Sequence, residues 1–173
     1  VARRLAERLG KQVRVEIVPA ELQVDPHFLG RFDEALVHMI RNSLDHAFEG
    51  PEEREGSGKD PVGTLKLSVE PGEKEIVLTL SDDGRGINGD RLVEKALLEG
   101  TITAEQAAGM TWQQKIELVF ESGLSTASGI SDISGRGVGM DAVRQSVMTQ
   151  GGSMVLESEL GKGTKIVLTM PVA

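Results

Sequence analysis

Two kinds of hydrophobic periodicity divide the chain into predicted helices and strands. Between residues 25 and 49, apolar side chains recur at the three- and four-residue spacing of a long helix. Asp25 and Pro26 supply its N-cap and a first-turn proline, and Gly50 and Pro51 are expected to end it.

Alternating apolar and polar residues predict five strands. In chain order they are Gln12 to Val18, Thr64 to Val69, Glu75 to Leu80, Ser153 to Ser158 and Thr164 to Met170. Pro71 and Gly72 are expected to turn the chain between the second and third strands, and Gly161 to Gly163 between the last two. Residues 51–63, which are rich in Pro, Gly and charge, predict a solvated loop before the second strand.

Further amphipathic stretches predict helices between these strands. They span residues 1–10, Arg91 to Leu98, Trp112 to Phe120 and Met140 to Thr149, and we assign Trp112 itself to core packing. Residues 122–139 are rich in glycine and serine and poor in large apolar groups, which indicates a long mobile segment. Strands fall in groups with helices between them, without strict alternation. We therefore predict an α+β two-layer sandwich whose mixed sheet is covered by helices on one face.

Composition narrows the class of protein. With 173 residues the chain is long enough for one well-buried domain. Its net charge of −8, from 27 acidic and 19 basic residues, would repel a phosphodiester backbone, so we expect no nucleic-acid partner. No apolar run approaches the roughly 20 residues that cross a bilayer, and the absence of cysteine excludes disulfides and thiolate metal sites. We expect a soluble, cytoplasmic protein without membrane insertion and, since the chain starts at Val1, a piece of a longer one.

Three polar residues form the first candidate site, on the long predicted helix. His38, Asn42 and Asp45 stand at positions i, i+4 and i+7, so at ~100° per residue they lie within roughly 60° of one another. An amide oxygen such as that of Asn42 suits Mg²⁺, which takes further ligands from water and nucleotide phosphates. From the helix alone, an ordinary solvated face explains this polar stripe as well or better.

Two glycine-containing runs are the other candidates. Asp82-Asp83-Gly84-Arg85-Gly86 ends a predicted strand, where glycines let the backbone approach a flat ligand and a carboxylate accepts a hydrogen bond from an amine such as adenine N6. A plain β-turn explains this run alone equally well. Gly135-Arg136-Gly137-Val138-Gly139 precedes a predicted helix, so its N–H groups and the helix dipole suit phosphate oxygens. A flexible linker is the alternative, and neither a dinucleotide fingerprint nor a P-loop is present.

Taken in order, these runs resemble the GHKL superfamily of ATP-binding domains, which includes histidine kinases, gyrase-type topoisomerases, Hsp90-type chaperones and MutL-type repair proteins. Residues 38–46 resemble its N box, Asp82-x-Gly84-x-Gly86 its first glycine box, Gly135-x-Gly137-x-Gly139 its second, and Gly163-Thr164 its final box. The strings RNSLDH, DDGRGI and SGRGVGMDAV are similar to those of CheA-type chemotaxis histidine kinases. The resemblance covers essentially the whole chain, 1–173, and implies a single histidine kinase catalytic domain of Bergerat fold, with a mostly antiparallel sheet and an ATP lid at about 121–139.

The resemblance implies ATP and Mg²⁺ as cofactors and gives roles to individual residues. Asn42 is expected to ligate Mg²⁺, Asp82 to bind the adenine amine, and His38, Arg41 and Asn42 to form the catalytic group. The other residues expected to bind the nucleotide belong to the N box, to the first glycine box and final box, and to the lid with the second glycine box: Asp45 and His46; Gly84, Gly86, Ile87 and Thr164; Ser125, Thr126, Ser134, Gly135, Arg136, Gly137, Val138, Gly139 and Met140.

One position separates a kinase from a hydrolase. Gyrase- and Hsp90-type members carry a water-activating glutamate four residues before the N-box asparagine, whereas this chain has His38. The resemblance therefore implies transfer of the γ-phosphate to a histidine on a separate phosphotransfer domain, in a chemotaxis-like two-component system. A response regulator would act downstream, and a receptor or coupling protein would be reached through other domains. The cation that meets the γ-phosphate stays open among Arg41, Arg136 and Lys59.

The chain departs from the subgroup at two places. Ala47 stands where a glycine usually follows the Asp-His pair, and residues 122–126 replace the usual start of the lid, which leaves altered lid dynamics open. The alternative function is a pseudokinase that binds nucleotide as a regulatory module. An ATP-hydrolysing clamp is a third hypothesis, which His38 and the acidic charge both disfavour.

Overall fold

Five strands form one sheet in the computed structural model, which describes residues 4, 7, 12–18, 30, 33–121 and 139–172. The strands are β1 (Val13–Val18), β2 (Gly63–Pro71), β3 (Glu75–Asp82), β4 (Ser153–Glu159) and β5 (Gly163–Pro171). Their order across the sheet is β1-β2-β3-β5-β4, with β1 parallel to β2 and the other neighbours antiparallel. Asp82 of β3 pairs with Thr164 of β5, so two predicted site residues meet in the middle of the sheet.

Helices connect these strands. They are α1 (Asp33–Asn42), α2 (Pro51–Gly56), α3 (Gly89–Leu98), α4 (Ala104–Ala108), α5 (Trp112–Glu117) and α6 (Met140–Thr149). A π-helical turn, Ser43–Ala47, continues α1, and a 3₁₀ turn, Leu118–Phe120, continues α5. In the ranges given above, none of the helices is long and apolar enough to span a bilayer.

The main core lies between one face of the sheet and helices α1 and α6. Leu78 of β3 pairs with Val69 of β2 and with Leu168 of β5, and all three side chains are buried. On the other face of β2 to β5 the side chains are half-buried or exposed, because strand residues alternate between the two faces. The helices complete this cluster with Ala35, Met39, Ile40, Leu44, Val143 and Val147. The predicted two-layer α+β sandwich with a mixed sheet is confirmed.

A second, smaller cluster supports the segment between β3 and residue 121. Leu92 and Ala96 of α3 pack against Leu118. Helix α5 then lies along the edge strand β4, where the Trp112 indole N–H donates to the Ser158 carbonyl at 2.9 Å and the Gln113 amide donates to the Leu156 carbonyl at 2.8 Å. Trp112 is 40% exposed, so its assignment to the core is wrong: its indole N–H binds one backbone carbonyl of an edge strand instead.

The segment after α1 differs most from the predicted elements. The winding widens to π geometry after Asn42 and the helix ends at Ala47 rather than Glu49. The predicted loop then contains α2, which begins at Pro51, a residue suited to a first helical turn. Hydrophobic spacing does not reveal α2, because its one buried side chain is the charged Arg54. The five-residue helix α4 buries no side chain, so hydrophobic spacing does not reveal it either.

Several sequence predictions fall on residues outside the described ranges. They are the start of the first long helix at 25–29, the lid at 122–138, and the helix at 1–10 except for Arg4 and Glu7, which are helical.

Candidate functional site

Asp82 lies at the end of central strand β3 and is the most distinctive polar residue of the sheet. Its Oδ1 accepts a hydrogen bond from the Gly84 backbone N–H at 3.0 Å, and the Thr164 backbone also hydrogen-bonds the carboxylate. Burial raises the pKa of Asp82 to about 6, and the nearby Asp83 and Glu49 charges add to the rise, against the lowering effect of the two backbone hydrogen bonds. Near neutral pH the carboxylate is therefore ionised but poorly solvated, which makes it a strong acceptor for a ligand donor.

The glycines of the turn after Asp82 are required by the protein's own backbone. A Cβ on Gly84 would collide with the carbonyl oxygen of Ala47, and a Cβ on Gly86 with that of Glu159. Gly86 also has φ of +72°, which glycine adopts without strain. The turn is fixed on both sides, because the Arg85 N–H donates to Ala47 O and Arg85 O accepts from the Gly161 N–H, each at 2.7 Å. The sequence predicted that these glycines let the backbone approach a ligand. In the structure, Gly84 approaches the backbone at the end of the N box, and Gly86 approaches the β4–β5 hairpin.

Ser158 of β4 joins two predicted site residues, Ile87 and Thr164, and Gly163 of the final box, although the sequence motifs do not include it. Its Oγ accepts a hydrogen bond from the Ile87 N–H at 2.8 Å, lies 3.0 Å from Gly163 O, and lies 2.9 Å from the Thr164 hydroxyl. Pairing the last two predicted strands about the turn at Gly161 would have placed Ser158 directly across from Thr164. The final box and the first glycine box are therefore held together by one side-chain hydroxyl.

The N-box residues occupy the end of α1 and the π-helical turn that follows. His38 and Asn42 share one face of α1, as the i, i+4 spacing predicts. The predicted stripe fails beyond Asn42, because the ~100° per residue that places Asp45 on it does not hold in π geometry. Asn42 and Asp45 are half-buried, whereas Arg41 and His46 are exposed.

His38 contains a buried polar atom that protein groups do not satisfy. Its Nε2 has no hydrogen-bond partner among the described residues. Burial lowers the pKa of His38, the Arg41 charge lowers it further, and Glu34 raises it by a smaller amount. The imidazole is therefore neutral near neutral pH, and among the described residues its Nε2 is left without a partner.

The end of the second glycine run lies at the start of α6. Gly139 is the N-cap residue, Met140 begins the helix, and α6 packs beside the N-box helix α1. The remaining candidates of this segment lie outside the described residues: Ser125, Thr126, Ser134, Gly135, Arg136, Gly137 and Val138.

Lys59, one of three cations considered for the γ-phosphate, is already fully engaged. Its Nζ lies 2.6 Å from Glu49 Oε1, 3.0 Å from Asp83 O and 2.8 Å from Gly84 O. An ammonium group has three donors, so none remains for a phosphate oxygen. Exposed Arg41 keeps its place as a candidate, and Arg136 lies outside the described residues.

The chemistry of Asp82, His38 and Asn42 fits a Mg-nucleotide bound beside them. Asp82 offers an ionised acceptor, His38 an unpaired ring nitrogen, and the half-buried Asn42 an amide that does not cap the following turn. In the described part of the chain no group of three or more His, Asp or Glu side chains could hold a metal ion, and Asn42 stays the predicted protein ligand. Such a site suits Mg²⁺, which keeps waters and takes phosphate oxygens as ligands.

Comparison with known proteins identifies the family. Residues 32–173 match the family model described as histidine kinase-, DNA gyrase B- and HSP90-like ATPase, and the chain belongs to this family. It is 40% identical over 169 residues to the gliding motility regulatory protein of Myxococcus xanthus, and 40% identical over 172 residues to the chemotaxis protein CheA of Salmonella typhimurium. These matches cover 98% and 99% of this chain but 22% and 25% of those proteins. The predicted CheA-type resemblance is confirmed.

Solved structures agree on the fold. The histidine kinase domain of the Erythrobacter litoralis EL346 blue-light activated histidine kinase matches with a TM-score of 0.57 at 19% identity, covering 99% of this chain and 57% of that one. The mycobacterial sensor histidine kinase MprB matches with a TM-score of 0.52 at 21% identity, covering 98% and 92%. At such identities the likeness concerns the arrangement of strands and helices alone.

Proposed function

We propose that this chain is a single histidine kinase catalytic domain that binds Mg-ATP and directs its γ-phosphate to a histidine on a separate phosphotransfer domain. The observation that carries the proposal is Asp82, a half-buried carboxylate with a pKa raised to about 6, on the central strand of a domain of this ATPase family. Its curated relatives are named for chemotaxis and gliding motility. A two-component pathway with a downstream response regulator, and a receptor or coupling protein, is the corresponding context.

On the base side of the site, Asp82 would accept a hydrogen bond from the exocyclic amine of adenine. Thr164 and Ile87 lie beside it and are held by Ser158, and Gly84 and Gly86 keep the adjoining turn close to the sheet. Because the ionised carboxylate only accepts hydrogen bonds, this side favours a base that presents a donor. The pocket would therefore select a 6-amino purine over a 6-oxo purine.

On the phosphate side, Asn42 would hold Mg²⁺ through its amide oxygen, next to Asp45 and His46. Mg-ATP supplies the phosphoryl group, and phosphoryl transfer depends mainly on alignment and charge neutralisation. The neutral His38 would orient Asn42 or accept a proton from the attacking group, and Arg41 would neutralise phosphate charge. The lid at about 121–139, including the glycine run that leads into α6, would cover the phosphates.

The second candidate is a pseudokinase that binds nucleotide as a regulatory module. His38 is the observation against it, because its Nε2, which has no partner among the described residues, can accept a proton from an attacking group, a role that nucleotide binding alone does not require.

Binding is tested by calorimetric titration with adenosine and with Mg-ATP. Asp82→Ala is expected to weaken adenosine binding at least about tenfold, because a charge-assisted hydrogen bond is worth about 1.5–3 kcal/mol. Asp90→Ala is the matched control, since Asp90 of α3 is an exposed carboxylate whose partner is Lys115 of α5. Asn42→Asp is expected to weaken Mg-dependent binding of ATP more than binding of adenosine. Equal adenosine affinity in Asp82→Ala and the parent chain would refute the assignment of Asp82.

A further inference from the structure

A group of buried charges lies beside the turn that follows Asp82. The side chain of Arg54 on α2 is 1% exposed, that of Glu49 is 6% exposed, and that of Lys59 is 18% exposed. Charged side chains are rarely buried to this extent unless they are paired and hydrogen-bonded. The motifs of the family resemblance do not include Arg54 or Lys59 and give no role to Glu49. Lys59 was one of three cations left open for the γ-phosphate, and its three donors are already used.

The contacts of this group converge on one peptide unit. Arg54 donates from Nη1 to Glu49 Oε2 at 3.0 Å and to Asp83 O at 3.2 Å, from Nη2 to Asp83 Oδ2 at 3.0 Å, and from Nε to Asp60 O at 2.6 Å. Lys59 donates to Glu49 Oε1, to Asp83 O and to Gly84 O. Both cations therefore bind the two oxygens of Glu49, one each, and both bind the carbonyl of Asp83.

The charges within this group are balanced. Burial raises the pKa of Glu49, but the hydrogen bond from Lys59 and the charges of Lys59 and Arg54 outweigh it, so the pKa lies below its ordinary value. Two cations, Arg54 and Lys59, thus face the two carboxylates of Glu49 and Asp83. Most N–H groups of the cations donate to these carboxylates or to backbone carbonyls. Such a complete network is rigid, because each lost contact would leave a buried charge unpaired.

The position of the network decides what that rigidity acts on. The Asp83 carbonyl and the Gly84 N–H belong to the same planar peptide, and in a trans peptide they point in opposite directions. Arg54 and Lys59 hold the carbonyl side of this peptide, and its N–H side donates to the Asp82 carboxylate at 3.0 Å. Glu49, the anchor of both cations, lies two residues beyond Ala47, where the N-box turn ends.

We propose that Lys59 and Arg54, joined through Glu49, are positioning residues for the base side of the nucleotide site. They orient the 83–84 peptide so that its N–H holds the Asp82 carboxylate towards the ligand, and they tie this turn to the end of the N box. The inference rests on the proposed function for its ligand. It assigns Lys59 to the base side, where it touches no phosphate.

The test compares Lys59→Met with the parent chain in titrations with adenosine and with Mg-ATP. Lys59→Met keeps the aliphatic stem and removes the donors, and it is preferred to changes at Arg54 because Lys59 is the more exposed cation. Both ligands are expected to lose affinity by the same factor, about tenfold, since hydrogen bonds that orient Asp82 are lost. Lys59→Arg restores donors and is expected to recover part of the affinity.

Two control variants separate positioning from other effects. Lys162→Met removes a lysine on the neighbouring hairpin whose partner, Glu159, is exposed, and it is expected to change neither affinity. Leu92→Ala opens a cavity in the second core cluster, and it is expected to lower stability without changing the affinity for adenosine. A loss of Mg-ATP affinity alone in Lys59→Met would mean that Lys59 meets the phosphates, and the inference would be overturned.

An NMR titration of the Asp82 carboxyl decides the inference without any nucleotide. In Lys59→Met the pKa of Asp82 is expected to rise above its value of about 6, because the Gly84 hydrogen bond that lowers it is weakened. It should stay at the parent value in Lys162→Met. An unchanged Asp82 pKa in folded Lys59→Met refutes the positioning role. A parent chain that binds neither adenosine nor Mg-ATP refutes the proposed function instead, and the Asp82 titration still decides the role of Lys59.

Discussion

Replacing Asp82 with asparagine should stabilise the domain at neutral and alkaline pH while impairing its proposed ligand binding. Asparagine has nearly the same shape and keeps the oxygen that accepts the Gly84 N–H, but it has no charge to bury. The folded state raises the pKa of Asp82, so it holds the proton more tightly than the unfolded chain does. The stability contributed by Asp82 is therefore present at low pH and is lost as the pH rises through about 6.

The size of the effect follows from the two pKa values. The step from 3.8 to about 6, at about 1.36 kcal/mol per unit, corresponds to about 3 kcal/mol at pH 8. At pH 4, where the unfolded carboxyl is itself half protonated, the same linkage gives about 0.6 kcal/mol. The advantage of Asp82→Asn over the parent chain should thus grow by about 2.4 kcal/mol between pH 4 and pH 8.

Urea unfolding of both proteins at pH 4, 6 and 8 measures this difference. Other titrating groups cancel in the comparison, because both chains share them. Asp83→Asn is the matched control: Asp83 is the adjacent carboxylate, its side chain is 44% exposed, and it pairs with Arg54, so its neutralisation should destabilise at pH 8. A stability difference for Asp82→Asn that does not change with pH, or that favours the parent chain increasingly at pH 8, would refute the reasoning.

Three further predictions follow from the same contacts. Adenosine binding to the parent chain should weaken about tenfold from pH 7 to pH 5, because Asp82 with a pKa of about 6 becomes protonated; a flat calorimetric profile would contradict this. Gly84→Ala should cost about 1–3 kcal/mol in urea unfolding because its Cβ meets the Ala47 oxygen, whereas Gly56→Ala, where the space is open, should cost little. Ser158→Ala should lower the free energy of unfolding in urea by about 1–3 kcal/mol, because the Ile87 N–H loses its acceptor. Ser153→Ala, at an exposed serine of the same strand, is the control, and equal stabilities of the two variants would contradict the bridging role.

The strands were predictable because a single physical requirement determines them. One face of β2 to β5 enters the core, so apolar residues must alternate with polar ones, and the structure extends these strands by at most two residues at either end of the alternating run. The helices α3 and α6 were predictable for the corresponding reason, since each presents one apolar stripe. The same periodicity led to the two-layer arrangement.

The elements that periodicity missed are held by polar interactions. Helix α2 is fixed through Arg54, whose partner Asp83 lies 29 residues away, so no local pattern marks it. Helix α4 has a local signal of another kind: Thr103 and Gln106 form a capping box, as Thr111 and Gln114 do before α5. The change from α to π winding after Asn42 has no counterpart in residue spacing.

The candidate site was predictable where a motif names a residue and not where strand pairing decides it. Asp82 and Thr164 are 82 residues apart in the chain, yet the motif order placed both, and the sheet brings them together. Ser158 owes its role to the pairing of β4 with β5, and Glu49 owes its role to Arg54 and Lys59, which the fold brings to its carboxylate. Lys59 was one of three cations left open for the γ-phosphate, whereas its actual partners are the Glu49 carboxylate and two backbone carbonyls.

The most direct test of the account is transfer of γ-labelled phosphate from Mg-ATP to a separately supplied histidine phosphotransfer domain. The parent chain should place acid-labile, alkali-stable label on that domain, and Asn42→Asp should place little or none. Mg-ATP binding without transfer to several such domains would contradict the kinase assignment and favour the pseudokinase, and release of free phosphate in place of transfer would indicate a hydrolase.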